Sequence, residues 1–110
     1  MDRFSEYRIM WILVFFDLPT DTKKERKEAA RFRKDLLKDG FVMFQFSIYI
    51  RHCPSVESAN MHIKRVKGLL PQYGQIGLLS ITDKQFSNME LYSEQKPKEL
   101  PETYIQLELF

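Results

Sequence analysis

The sequence predicts an α+β domain, an antiparallel sheet with both helices on one face, and three observations carry that expectation. Two segments repeat apolar residues at the three-and-four spacing of amphipathic helices. The stretches around them have the continuous or alternating apolar pattern of strands. The order expected is strand, helix, strand, strand, helix, strand, which suits two helices laid on one sheet.

Residues 7–16 are almost continuously apolar, with Arg8 the only charge. A run this short, rich in β-branched and aromatic residues, reads as a central strand covered on both faces. Asp17-Leu18-Pro19-Thr20 breaks it. Thr22 and Glu25 have the spacing of a capping box, so a helix is expected to start near Thr22, with Gly40 its terminator. Ala29, Phe32 and Leu36, with Ala30 and Leu37 beside them, form its apolar stripe.

Residues 41–51 read as one strand. Val42, Phe44, Phe46, Ile48 and Ile50 share a face expected to be core. Met43, Gln45, Ser47, Tyr49 and Arg51 share the other, a mixed face able to meet another surface. Ser55, after Pro54, is the candidate N-cap of a second helix. Its stripe is Val56, Ala59, Ile63, Val66 and Leu70, and Pro71 closes it. Residues 75–82 read as a third strand and 89–92 as a short fourth. The order matches the split β-α-β of ferredoxin-like folds.

The chain divides accordingly into a domain over 1–92, a linker over 93–103 with Pro97 and Pro101, and a C-terminal strand over 104–110. In that strand Ile105, Leu107 and Leu109 face one way and Gln106 and Glu108 the other. An apolar strand beyond a linker must pair with a sheet edge. Two pairings stand open: its own sheet, or a partner's in a dimer with exchanged tails.

With 110 residues and 13.2 kDa, there is material for one core and not two, since a chain of this size buries about 65% of its unfolded surface. An apolar share of 44% and an aromatic share of 14% exclude a disordered chain. The net charge of +2 names no partner, but its distribution does more. Residues 1–74 hold 14 basic and nine acidic residues, +5, and residues 75–110 hold three and six, −3. A single cysteine, Cys53, excludes an internal disulfide framework. The apolar run at 9–16 is far short of the ~20 residues that cross a bilayer, and there is no signal-peptide plan. The sequence reads as a soluble cytoplasmic protein without membrane contact.

Asp17 stands out by position, a carboxylate ending an apolar central strand. Either it binds something or it hydrogen-bonds the turn amides of Thr20 or Asp21. Mg²⁺ takes one or two carboxylates plus waters, and a single chain offers one well-placed acid; two copies across a twofold axis offer a pair. The first helix carries Lys23, Lys27, Arg31, Lys34 and Lys38 along one face, flanked by Lys24, Arg26 and Arg33. Residues 23–38 thus hold eight basic and three acidic side chains. One reading is a solvated face with local Glu–Lys pairs. The other is a phosphate-contacting stripe giving salt-dependent, sequence-neutral binding, with Arg51 on the mixed strand face joining it.

Other chemistries find little. His52-Cys53 with His62 lacks the ligand count and spacing of zinc and reads as a partly buried thiol with surface histidines. Ser47 has no His or Lys close in sequence to activate it. The four scattered glycines form no phosphate loop, and residues 75–86 lack the glycine-aromatic spacing of an RNA-recognition motif. A different class, a ferredoxin-like small-molecule regulatory module with no nucleic-acid role, would need a ligand pocket at a dimer edge, usually with glycine-rich loops, and the sequence has none.

Three segments taken together carry a resemblance. Leu13-Val14-Phe15-Phe16-Asp17-Leu18-Pro19-Thr20, then Gln45-x-Ser47-x-Tyr49, then Ile81-Thr82-Asp83-Lys84-Gln85-Phe86 resemble the CRISPR-associated protein 2 family, most of all its type II branch. The resemblance spans essentially residues 7–92. It implies a ferredoxin-like homodimer completed by exchanged C-terminal strands, with Gln45, Ser47, Tyr49, Ile105, Leu107 and Leu109 at the interface. It implies a role in spacer acquisition, as a scaffold that holds duplex prespacer DNA between dimers of the CRISPR-associated protein 1 integrase. It also implies a Mg²⁺-dependent endonuclease acting on RNA or double-stranded DNA, with Asp17 as the catalytic metal ligand shared between subunits. Many members place Tyr before that aspartate; this chain has Phe16, so a hydroxyl able to hold water is missing. The scaffold role does not depend on it.

Overall fold

The computed structural model describes residues 8–101. Its first strand, β1, runs Met10–Asp17 and lies between two neighbours: β3, Ile48–Cys53, on one side and β4, Gln75–Thr82, on the other. Both pairings are antiparallel. β2, Val42–Gln45, adds to the far side of β3, giving the order β2-β3-β1-β4. Helix α1, Lys23–Lys38, connects β1 to β2, and α2, Val56–Lys67, connects β3 to β4. This is the expected β-α-β-β-α-β sheet, consistent with a ferredoxin-like fold.

Both helices lie on one face. Phe32, Leu36 and Ala29 of α1, and Ala59 and Val66 of α2, pack against Ile12, Val14 and Phe16 of β1 together with Phe41, Tyr49 and Cys53. Phe32 and Leu36 are fully buried, and truncating a Phe of this kind to Ala costs roughly 3–5 kcal/mol. The helix starts where its capping box requires. Thr22 Oγ1 accepts from the Glu25 amide at 3.1 Å, and the Glu25 carboxylate accepts from the Thr22 amide at 2.8 Å. Ser55 caps α2 through the Ser58 amide at 3.0 Å.

The opposite face of β1 points Trp11 and Leu13 into a second, smaller cluster with Ile50 and Phe86. A short helix, α3 (Asp83–Ser87), covers that end of the sheet. Trp11 and Phe86 stack at 4.2 Å, and the Trp11 indole N–H donates to the buried Asp83 carboxylate at 2.6 Å. Further along the same face nothing among the described residues covers Phe15, 43% exposed, or Leu79, 46% exposed.

Four expectations change. The single strand over 41–51 is a hairpin: β2 turns at Phe46-Ser47 and returns as β3, with a register shift between Met43 and Gln45. The hairpin supplies the two adjacent strands that the element order requires. Second, the face expected to be core is buried only where the sheet is covered. Ile50 is fully buried, while Val42 is 55% and Phe46 70% exposed, because β2 is an edge strand and Phe46 lies in its turn. Third, residues 91–93 do not join the main sheet. They form β5, Leu91–Ser93, which pairs with β6, Lys96–Lys98, inside the expected linker. Glu94 and Gln95 between them have positive φ, as a tight two-residue hairpin requires. Finally, the histidines are not both surface residues: His62 is buried, with Nδ1 2.8 Å from the Asp39 carboxylate, and His52 is half-buried, packed edge-on to Trp11 at 5.2 Å. The Cys53 thiol is fully buried. The tail with Ile105, Leu107 and Leu109 lies outside the described residues. Among the described residues no helix is long and apolar enough to cross a membrane.

Candidate nucleic-acid interface and carboxylate cleft

Asp17 is the last residue of β1, and the alternation that buries Phe16 among the helices turns Asp17 to the helix-free side. It is exposed. Its carboxylate makes no hydrogen bond or ion pair among the described residues. The turn that follows is held instead by Arg26, whose guanidinium donates to the carbonyls of Thr20 and Asp21 at 3.0 Å each. The alternative of a turn-bonding aspartate is therefore not what forms.

Asp17 lines an open cleft of about 430 Å³ with Phe15, Ser47, Ile48, Gln75 and Gly77. Two contacts shape it. Gln75 is the register partner of Asp17 across β1 and β4, and the Phe16 amide donates to the Ser47 carbonyl at 3.0 Å, pinning the hairpin turn to the end of β1. The chain also passes very close at Gly74. A Cβ there would sit 2.4 Å from the Asp17 carbonyl oxygen, at φ +88°, so only glycine fits. Gln75 and Ser47 were not recognisable as cleft neighbours from sequence, since nothing local places the start of β4 beside the end of β1.

One carboxylate in an open cleft suits a hard cation that keeps most of its waters, but among the described residues no three His, Cys, Asp or Glu side chains converge to hold a metal. A single chain therefore presents one carboxylate at this cleft and no ready-made metal cage among the described residues.

The cations of α1 sort into three groups. Arg31 donates to Glu28 at 3.1 Å and to Asp35 at 2.7 Å, and reaches the carbonyls of Leu69 and Leu70. Glu28 also accepts from the Gln72 amide at 3.0 Å. Hydrogen bonding to Glu28 raises the Arg31 pKa above its ordinary value, and the same bond, with the Gln72 amide, lowers that of Glu28. Arg31 thus ties α1 to the 69–72 loop and has little left for a phosphate. Arg26 is occupied by the turn after β1. Arg51 lies half-buried against the Gly40 turn and donates to the His52 carbonyl at 2.9 Å. Of the stripe as read from spacing, Arg26, Arg31 and Arg51 thus have hydrogen-bond partners within the chain.

The remaining lysines differ. Lys23, Lys27, Lys34 and Lys38 are exposed, and none has a hydrogen bond or ion pair among the described residues. The reason is stoichiometric: Glu25 is committed to the cap, and Glu28 and Asp35 to Arg31. The local Glu–Lys pairing that would neutralise the face does not form. Lys24 is also exposed, beside Glu28.

Of the expected interface residues, Gln45 and Ser47 are exposed, whereas Tyr49 is 3% exposed and packs on Phe16 at 5.7 Å. Tyr49 is therefore a core residue, because β3 is an interior strand with helices over that face.

Comparison with known proteins gives one answer. Residues 10–89 match the family model described as CRISPR associated protein Cas2. A relative from Flavobacterium psychrophilum, called CRISPR-associated endoribonuclease Cas2, is 60% identical over 108 residues, covering 98% of this chain and 94% of the relative. A relative of the same name from Parvibaculum lavamentivorans is 50% identical over 101 residues, covering 92% of this chain and all of the relative. Another, from Ligilactobacillus salivarius, is 41% identical over 91 residues, 83% of this chain and 90% of the relative.

Proposed function

The chain belongs to the CRISPR-associated protein Cas2 family, and from that premise we propose that two copies form a scaffold that binds duplex DNA during spacer acquisition, together with the CRISPR-associated protein 1 integrase. The observation that carries the DNA-binding half is the uncompensated lysine face of α1. Four exposed ammonium groups without carboxylate partners attract a phosphate backbone without reading its sequence. The dimer half is supported by the open end of the helix-free face. A second copy laid over Phe15 and Leu79 would remove apolar surface from water and bring two Asp17 carboxylates toward one another.

In that pair Asp17 and its copy would hold Mg²⁺, which when bound polarises a phosphodiester and lowers the pKa of a coordinated water. The relatives named endoribonucleases support a phosphodiesterase activity on RNA, with double-stranded DNA the other candidate. The Ser47 hydroxyl and Gln75 amide, lining the same cleft, orient the phosphate oxygens. Phe15 keeps one wall of the cleft apolar.

The two halves separate in one experiment. Asp17→Ala should abolish Mg²⁺-dependent cleavage of RNA and duplex DNA while leaving duplex affinity and co-purification with the integrase intact. Cleavage that persists in the variant overturns the shared-carboxylate mechanism; absence of duplex binding by the wild type overturns the scaffold.

A further inference from the structure

Arg33 differs from every other arginine of α1. Among the described residues it has no hydrogen bond and no ion pair. Its guanidinium lies instead 4.0 Å from the ring centroid of Phe46 and 5.3 Å from that of Phe16, with Nε buried and unpartnered. Two turns separate Arg33 from Arg26, so both occupy the flank of α1 that faces the end of β1. Arg26 is fixed there by carbonyls, Arg33 by rings alone.

Phe46 is the most exposed of the large apolar side chains described, at 70%. A single exposed apolar residue is ordinary. What is not ordinary is its setting. The ring has one side capped by a cation, and its turn is pinned to β1 by the bond between the Phe16 amide and the Ser47 carbonyl. One residue on, Ser47 lines the Asp17 cleft. The turn therefore presents a held aromatic ring to the helix flank and a hydroxyl to the cleft.

A ring with a guanidinium behind it and its outer side open suits a nucleobase. Stacking on an aromatic is tolerant of base identity and is strengthened by arginine. A base inside a duplex is already stacked on both sides, so only an unpaired one can reach the ring. The unpartnered guanidinium also keeps donors free for a phosphate. We propose that Phe46 and Arg33 form a site for an unpaired nucleotide, the single-stranded end of a nucleic acid held along α1, with its base on Phe46 and its phosphate on Arg33. The site rests on the duplex-binding reading above and adds a preference for ends over blunt duplex.

The test compares one duplex, blunt and with a single-stranded overhang on the order of five nucleotides, carrying a fluorescent adenine analogue at the junction. The overhang should tighten binding by about tenfold, in line with one stacked base, and the analogue should be quenched. Phe46→Ala and Phe46→Leu should both lose the gain and the quench while keeping blunt-duplex affinity, and Phe46→Trp should retain them. Arg33→Gln should lose part of the gain. Equal wild-type affinity for blunt and overhung duplex overturns this proposal and leaves the duplex reading standing; no duplex binding at all overturns both. If light scattering shows that Phe46→Ala changes the mass of the free protein, the ring is covered by a second copy and the proposal fails.

Discussion

Arg31 and Lys27 sit four residues apart on one helix and carry the same charge, yet their surroundings give them different work. Arg31 holds two carboxylates and two carbonyls; Lys27 holds nothing among the described residues. Arg31→Gln should therefore lower the urea midpoint slightly, the loss kept small by solvent screening of a half-exposed pair, and leave DNA affinity nearly unchanged. A DNA defect in that variant without a stability defect would show that the assignment is reversed. Asp83 is the sharper case, since its carboxylate accepts the buried Trp11 indole at 2.6 Å. Asp83→Ala should cost roughly 2–3 kcal/mol of unfolding free energy, the loss of a charge-assisted bond plus an unpaired buried donor, read from chemical denaturation. His52 sets the acid limb. Burial among the aromatics lowers its pKa, the Arg51 charge adds to this, and Asp83 opposes it. The unfolded chain then takes up the proton first, so stability is full above the ordinary value and falls as pH drops below about 6.5. His52→Gln should flatten that limb, and an unaltered slope would place the titration elsewhere.

At the scale of elements, the local signals were legible and the through-space ones were not. Thr22 and Glu25 announced the start of α1 because a capping box is read within four residues, and the box is formed. The Phe46-Ser47 turn was hidden for two reasons. It has none of the Gly, Asn, Asp or Pro residues that mark tight turns. The register also shifts between Met43 and Gln45, so that beyond the shift Val42 pairs with Ile50 and Met43 with Tyr49, residues of matching parity, and the alternation read along the chain conceals the turn. Asp17 was legible as a strand-ending carboxylate. Its neighbours Ser47 and Gln75 were not, because they arrive from other strands. Arg33 and Phe46 were missed as a pair for the same reason. Where β4 approaches Asp17, the constraint is backbone geometry: Gly74→Ala should cost about 1–3 kcal/mol through a strained positive φ and a clash with the Asp17 carbonyl. A melting temperature equal to wild type would mean that the turn relaxes freely.

For the whole molecule, the near-neutral charge conceals a division. Residues 1–74, which carry α1, are at +5 and residues 75–110 at −3, and the fold leaves Lys23, Lys27, Lys34 and Lys38 without ion-pair partners among the described residues. The fold also leaves one carboxylate in an open cleft beside exposed Phe15, the surface on which the proposed dimer would form. Light scattering of the free protein should give twice 13.2 kDa; a monomer at micromolar concentration would leave the paired-carboxylate site unformed. In the function proposed, the lysine face of α1 holds a duplex by its backbone. The most direct measurement is the slope of log affinity against log salt for a blunt duplex, compared between wild type and a variant with Lys23, Lys27, Lys34 and Lys38 replaced by Gln. The slope should flatten by about 0.9 for each phosphate that the variant no longer neutralises, with affinity falling at low salt; an unchanged slope would contradict the claim and return the face to solvent.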